Sequence, residues 1–105
     1  MPTIMVDGQE IEVDEGGFFV HPDQWTEEMA PELARTAGVG ELNEEHRRVI
    51  KFMREEYFAK GTGPTVRALG LSSGVPVKRL YELFPKGPAK LAARIAGIPK
   101  PRGCI

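Results

Sequence analysis

The sequence predicts an α+β fold that is mostly helical, in which an N-terminal β-hairpin or meander packs on a bundle of about five helices. Two short β-prone segments, 3–6 and 10–13, flank Asp7-Gly8, a dipeptide that suits a tight hairpin turn because it tolerates positive φ. Further along, prolines and glycines divide the chain into segments with helical periodicity. With 105 residues, the chain is long enough for one modest core. We therefore expect a single compact domain over residues 1–97 and a mobile arm over residues 98–105.

A third strand is expected after the hairpin. Gly16-Gly17 breaks the chain before Phe18-Phe19-Val20, a segment that favours a strand. A hairpin of this size needs something to pack on. The helices that follow must therefore cover it.

The first two helices are predicted from their ends. One covers residues 25–37, with Thr26 as a candidate N-cap. The longest begins after Asn43, a good N-cap, and ends at Gly61. The core face of this long helix is predicted from apolar residues at helical spacing, namely Val49, Ile50, Met53 and Tyr57.

Two short helices are expected next, over residues 64–69 and 76–84, around a glycine-bearing turn over residues 70–74. Two helices about a tight turn resemble a helix-turn-helix. A last helix is expected over residues 88–96, with Gly97 as its C-terminal stop.

DNA binding by the helix-turn-helix-like pair is one functional hypothesis. Lys78 and Arg79 lie near the start of its second helix, where a recognition helix would contact DNA. That helix offers no Asn or Gln to bind adenine, and it carries an acid, Glu82. The overall pI of about 6.1 is also low for a DNA-binding protein. These features disfavour DNA as the partner.

Charge is strongly segregated along the chain. Residues 1–58 carry 14 acidic and 5 basic side chains, whereas residues 59–105 carry 1 acidic and 9 basic side chains. This segregation favours an anionic partner for the second half, either RNA or an acidic protein face; the alternative is that the two halves neutralise each other. Candidate partner-binding residues are the bases Lys86, Lys90 and Arg94, unless they are merely solvated.

Cys104 is the single cysteine of the sequence and its penultimate residue. Two prolines should keep the preceding segment extended, so the thiol would lie on a semi-rigid arm able to enter another protein's active site. The alternative is an exposed terminal cysteine without a role. The candidate residues of the arm and its docking are Gly97, Pro99, Lys100, Pro101, Arg102 and Gly103.

Other classes of function find no support in the sequence. A single cysteine excludes an internal disulfide and fits a reducing compartment, so a cytoplasmic location without membrane contact is expected. His21, His46 and the cysteine have no usual metal-ligand spacing, so no metal is expected. No catalytic triad spacing or phosphate-binding loop is present, and we expect no cofactor.

A specific set of motifs occupies the last quarter of the chain: LFPKGPAK over residues 83–90, IAG and PKP within residues 95–101, and the penultimate Cys104, in that order and spacing. This set resembles the DsrC/TusE family of small sulfur-carrier proteins. The resemblance covers essentially the whole chain, because upstream features fit as well: the Asp7-Gly8 hairpin, Trp25, the Glu44-Glu45-His46 helix start and Tyr81.

The resemblance implies that Cys104 is the sulfur-bearing residue. It would receive a sulfane sulfur as a persulfide from an upstream sulfurtransferase and pass it to a downstream acceptor, acting with partner enzymes rather than alone. Family members in sulfite reduction carry a second cysteine eleven positions earlier, where this chain has Ala93. The resemblance therefore implies a one-thiol relay, similar to members that serve tRNA thiolation. A role in sulfur oxidation, a subunit or partner of a dissimilatory sulfite reductase, and a DNA-binding regulator remain the alternatives.

Overall fold

A computed structural model describes residues 2–101 of the chain. It is α+β and mostly helical, as predicted, with one two-stranded antiparallel sheet in the described range. Two single-turn 3₁₀ helices, Pro22–Gln24 and Glu27–Met29, precede the α-helices. The strands and α-helices are β1 (Thr3–Val6), β2 (Gln9–Glu12), α1 (Ala30–Thr36), α2 (Glu44–Lys60), α3 (Val66–Ser72), α4 (Val77–Leu83) and α5 (Pro88–Ala96).

The hairpin turn forms at the predicted dipeptide. Asp7 and Gly8 both adopt positive φ, 51° and 76°, which is the requirement of a type I′ turn. The register pairs Val6 with Gln9 next to the turn and Ile4 with Ile11 further along. Ile11 is fully buried, so the hairpin presents one face to the core.

The prediction of a third strand over residues 18–20 is wrong, since residues 2–101 contain only the two strands of the hairpin. Phe18-Phe19-Val20 forms only an isolated bridge, between Val13 and Phe19. The reason is local: the Asp14 carboxylate accepts hydrogen bonds from the backbone N–H groups of Gly16 and Phe18 and folds this segment into a turn. The meander is therefore a plain hairpin followed by a loop over residues 14–20, in which only the side chains of Phe18 and Phe19 are buried.

The helix predicted over residues 25–37 begins five residues late. α1 starts only at Ala30, and Trp25 is extended, with ψ of 138°, between the two 3₁₀ turns. Thr26 precedes the second 3₁₀ helix but makes no capping hydrogen bond with its side chain. Trp25 lies outside α1, and its side chain packs against the end of α5, where it contacts Gly97 and donates to the Ile95 carbonyl.

α2 has the predicted ends. Asn43 caps it through a reciprocal pair, in which Asn43 Oδ1 accepts from the His46 N–H and His46 Nδ1 accepts from the Asn43 N–H, both at 3.0 Å. Gly61 ends the helix in a left-handed conformation. The predicted core residues Val49, Ile50 and Met53 are buried, and Tyr57 is partly buried.

The short helix pair is confirmed as two helices about a turn, but its first helix is shifted toward the C-terminus. α3 begins at Val66 rather than at residue 64, and it continues through Gly70 to Ser72, whereas the prediction ended it at residue 69. A Cβ atom on Gly70 would overlap the Val77 side chain, so the glycine allows α3 and α4 to approach closely. Here glycine serves helix packing rather than a turn.

The buried side chains form a large helical cluster and a smaller cluster beneath the hairpin. Trp25 packs against both clusters and joins them. No helix among residues 2–101 is both long and apolar enough to cross a membrane.

Candidate functional site

The candidate site is built on the C-terminal end of α5, where the predicted arm begins. Gly97 adopts the left-handed conformation, with φ of 68°, and ends the helix. The Gly97 N–H donates to the Arg94 carbonyl at 3.4 Å, and the Ile98 N–H donates to the Ala93 carbonyl at 3.1 Å. This pair of bonds is a Schellman motif, and it turns the chain sharply out of the helix.

Two side chains from distant segments complete the cap. The Trp25 indole Nε1–H donates to the Ile95 carbonyl at 2.9 Å, and Arg54 Nη1–H donates to the Ala96 carbonyl at 2.8 Å. The last four carbonyls of a helix normally lack intrahelical partners. In α5 all four are hydrogen-bonded, so the start of the arm has a fixed position on the domain.

Arg54 connects three parts of this structure. Its guanidinium lies 4.3 Å from the centre of the Trp25 ring and also donates to the Pro22 carbonyl at 3.2 Å. Burial lowers the pKa of Arg54 from the ordinary arginine value. A cation at this point also interacts favourably with the C-terminal end of the α5 dipole. Sequence reasoning missed this residue, because nothing distinguishes Arg54 from the other bases of α2.

The first residues of the predicted arm are packed on the domain. Ile98 is fully buried, Pro101 is buried, Pro99 is partly buried and Lys100 is exposed. Ile98 and Pro101 lie against Gly63, where a Cβ atom would come within 2.8 Å of Ile98 Cδ1 and 3.3 Å of Pro101 Cγ. We call residues 98–101 the arm root. The predicted site residues Arg102, Gly103 and Cys104 lie outside the described residues.

The three candidate partner-binding bases have different surroundings. Lys86 is exposed in the turn between α4 and α5, with φ of 72°, and Lys90 is partly buried on α5. The guanidinium of Arg94 packs over Gly17, on the side of the hairpin, and its Nε atom is buried without a hydrogen-bond partner. The three bases therefore differ in exposure, and Lys86 is the most accessible of them to a partner.

The LFPKGPAK segment forms the turn that positions α5. His46 Nε2 lies 2.9 Å from the Leu83 carbonyl, and the His46 ring packs edge-to-face on Phe84. Because the Leu83 carbonyl and the Asn43 N–H have fixed roles, Nε2 must carry the proton and Nδ1 must accept. His46 thus holds the α4–α5 turn against the start of α2, a structural role that accounts for its burial.

Of the two bases in the helix-turn-helix-like pair that could contact DNA, Lys78 and Arg79, one already forms ion pairs within the protein. Arg79 contacts Glu45 at 2.7 Å and Glu82 at 3.2 Å. The hydrogen bond from Arg79 lowers the pKa of the Glu45 carboxyl. Lys78 is exposed. The pair therefore offers DNA less free positive charge than its sequence predicted.

Comparison with known proteins identifies the class to which this fold and site belong. The family model described as "DsrC like protein" matches residues 5–105. The chain is 37% identical to the "Sulfite reductase, dissimilatory-type subunit gamma" of Nitratidesulfovibrio vulgaris over 105 residues, which span the whole of both chains. It is also 41% identical to the "Sulfurtransferase TusE" of Salmonella typhimurium, over 97% of this chain and 99% of the relative.

Solved structures agree with this assignment. A chain in a crystal structure of dissimilatory sulfite reductase I (DsrI) matches with a TM-score of 0.86 and 38% identity, covering 99% of this chain and 100% of the other. The NMR structure of Allochromatium vinosum DsrC matches with a TM-score of 0.80 and 43% identity, covering 98% and 97% of the two chains. The chain belongs to the DsrC/TusE family, as its motifs predicted.

Proposed function

We propose that this protein is a sulfur carrier, in which Cys104 accepts a sulfane sulfur as a persulfide and delivers it to an acceptor protein. The observation that carries the proposal is the extent of the family match, which runs from residue 5 to residue 105 and so includes both the arm root and the terminal thiol. Relatives named "Sulfurtransferase TusE" over almost the full length support the same role.

The chemistry needs one thiol and two partners. The Cys104 thiolate attacks the terminal sulfur of a persulfide on the donor protein, since the thiolate is the reactive form. A new S–S bond forms at Cys104, the donor S–S bond breaks, and its electron pair leaves on the donor thiolate. In the second step a nucleophile of the acceptor attacks the same sulfur, and Cys104 leaves as a thiolate. No external oxidant or reductant enters either transfer.

The structure supports this proposal through the arm root. The cap on α5 and the contact with Gly63 hold residues 97–101 on the domain, and Cys104 is three residues after Pro101 in the sequence. Three residues span at most about 11 Å. We infer that the partner must approach the domain closely, in a reducing compartment such as the cytoplasm where a free thiol persists.

Mass spectrometry of the intact protein tests the proposal. After incubation with a persulfide-bearing sulfurtransferase and removal of small molecules, the wild type should become one sulfur atom heavier. A reductant should reverse this gain, and Cys104→Ser should abolish it. No mass gain with any of several donor classes, or an equal gain in Cys104→Ser, would contradict the proposal.

A second candidate function is that of a subunit or substrate-bearing partner of a dissimilatory sulfite reductase. The end-to-end match with a protein named as the gamma subunit of that enzyme favours it. Ala93 stands against two-thiol chemistry, because it places a buried methyl group where the resemblance puts a second cysteine. Turnover by purified sulfite reductase should rise on addition of this protein if the candidate is correct, and fail to change if the chain serves another pathway.

A further inference from the structure

The helices α3 and α4 present an apolar surface that the fold does not use. Leu71 is 79% exposed, Val77 is 40% exposed and Tyr81 is 52% exposed. Val77 and Tyr81 are four residues apart and therefore lie on one face of α4. Other residues of the two helices, Leu69 in α3 and Leu80 in α4, are fully buried and pack into the core.

The exposed apolar residues belong to adjoining helices. Gly70, the neighbour of Leu71 in α3, is in direct contact with Val77 of α4. We call the exposed surface of Leu71, Val77 and Tyr81 the α3–α4 face. Three of the five large apolar side chains that are exposed among residues 2–101 belong to it, and such clustering is typical of an interaction surface.

Positive charge flanks the α3–α4 face. Arg67 lies one helical turn before Leu71, and Lys78 follows Val77; both are exposed. The guanidinium of Arg48 comes within 3.6 Å of a Cβ atom built on Gly74, in the turn between the helices. The one acid of this half of the chain, Glu82, is paired with Arg79. A partner surface that matches would have an apolar centre flanked by carboxylates.

A short stretch of chain joins the contact site of the arm root to the α3–α4 face. Gly63, which contacts Ile98 and Pro101, is three residues before the start of α3 at Val66. Leu71 is five residues into α3, about 8 Å along the helix axis. Since Cys104 is three residues after Pro101 and these span at most about 11 Å, one bound protein could contact both the face and Cys104.

We propose that the α3–α4 face is a docking surface for the protein that exchanges sulfur with Cys104, and that the docking patch of this partner is apolar and flanked by carboxylates. The identity of the exchanged group rests on the proposed function; the docking does not. DNA is a poorer occupant, because exposed Leu71 and Val77 offer no hydrogen bonds to bases and Arg79 is already paired. Simultaneous contact at two points raises affinity without a larger single interface.

Photocrosslinking at defined positions tests this inference. A maleimide-benzophenone attaches at Cys104 in the wild type, because the sequence has one cysteine. The same reagent attaches to the Tyr81→Cys variant in a Cys104→Ser background, and to Phe58→Cys as the matched control, since Phe58 is 59% exposed on α2. Illumination in a lysate of the source organism should trap one and the same polypeptide, identified by mass spectrometry, from positions 81 and 104 and not from position 58.

Charge reversal provides the quantitative test. Lys78→Glu should reduce the trapping of that polypeptide from Cys104 about tenfold, as removal of an important interface residue does. Lys51→Glu, at an exposed base on α2, should leave it unchanged. The inference is overturned if positions 81 and 104 trap no common polypeptide, if position 58 traps it equally, or if Lys78→Glu has no effect. Salt-sensitive binding of duplex DNA that Lys78→Ala abolishes would also overturn it.

Persulfide loading separates the two proposals. Tyr81→Phe and Lys78→Glu should both still gain one sulfur atom from a small-molecule polysulfide, because neither change touches the thiol. If the wild type itself fails to gain a sulfur atom, the proposed function is refuted. Normal loading without shared crosslinks would refute only the docking surface.

Discussion

Trp25 and Gly97 are in direct contact, and the contact fits only because Gly97 has no side chain. A Cβ atom on Gly97 would overlap the indole ring of Trp25. The same ring donates its Nε1–H to the Ile95 carbonyl at 2.9 Å and packs against both buried clusters. The end of α5, where the arm root begins, therefore has its position set by a tryptophan about seventy residues earlier in the chain.

Gly97→Ala should destabilise the fold markedly. The residue would have to keep a left-handed φ of 68° and also displace the Trp25 ring. We expect a loss of about 2 to 5 kcal/mol in the free energy of unfolding, measured by urea denaturation. Gly38→Ala is the matched control, since Gly38 has φ of 80° but no atom within 4 Å of the added Cβ. Its cost should be about 1 kcal/mol, and equal losses for the two variants would contradict the role of the Trp25 contact.

Arg54→Met should weaken the cap of α5 while keeping an apolar stem on the Trp25 ring. The substitution leaves the Ala96 carbonyl without its side-chain donor and removes one of the two donors to the Pro22 carbonyl, which keeps the Trp25 backbone N–H. We expect a cost of about 2 to 3 kcal/mol from urea denaturation. Lys51→Met, at an exposed position nearly one turn earlier in α2, should change stability by less than about 0.5 kcal/mol. If both variants are equally stable, Arg54 is a surface residue rather than part of the cap.

The sequence correctly predicted those turns and helix ends that depend only on neighbouring residues. The hairpin turn at Asp7-Gly8, the Asn43 cap and the Gly97 stop each depend on residues within a few positions of one another, and all three form where expected. The helix expected to begin at Trp25 did not, because the indole is committed to a partner 70 positions away. Contacts of this kind leave no periodic trace in the sequence.

The sequence predicted the family of the chain, but not the contacts that position the candidate site on the domain. The single penultimate cysteine and the motifs before it were visible as residues, and they gave the correct family. The Arg54 bond to Ala96 joins residues 42 positions apart, and the contact of Gly63 with Pro101 is equally non-local. Such contacts depend on the packing of α2 against α5, which the charge and spacing of the residues do not encode.

Glu45→Gln should reduce the amount of stability that the fold loses between neutral and acidic pH. The hydrogen bond from Arg79 lowers the pKa of Glu45 in the folded protein, so this pair stabilises the fold fully above the ordinary pKa of a glutamate. Its contribution is lost as the pH falls through the lowered pKa. The midpoint temperature of thermal unfolding should be measured at neutral pH and at a pH well below the ordinary pKa of a glutamate. The difference between the two midpoints should be smaller for Glu45→Gln than for the wild type. The effect is small because the pair is partly exposed.

Glu41→Gln is the control for the pH experiment. Glu41 is exposed, lies just before α2, and forms no ion pair with another residue in the range 2–101. This variant keeps the ion pair of Glu45 with Arg79, so it should lose stability in acid as the wild type does. If Glu45→Gln also matches the wild type, the ion pair with Arg79 does not persist in solution.

Ala93→Cys should introduce a thiol that is shielded in the folded protein. Ala93 is fully buried in α5, and its carbonyl accepts the Ile98 N–H, so the arm root lies against this part of the helix. In a Cys104→Ser background the new thiol should react with Ellman's reagent only in denaturant, because a buried apolar site disfavours the thiolate. Adding Ile98→Ala, which removes a buried side chain of the root, should speed the reaction in native buffer. Rapid reaction of Ala93→Cys alone would show that residues 98–101 leave the domain, and would contradict the packing of the arm root against Gly63.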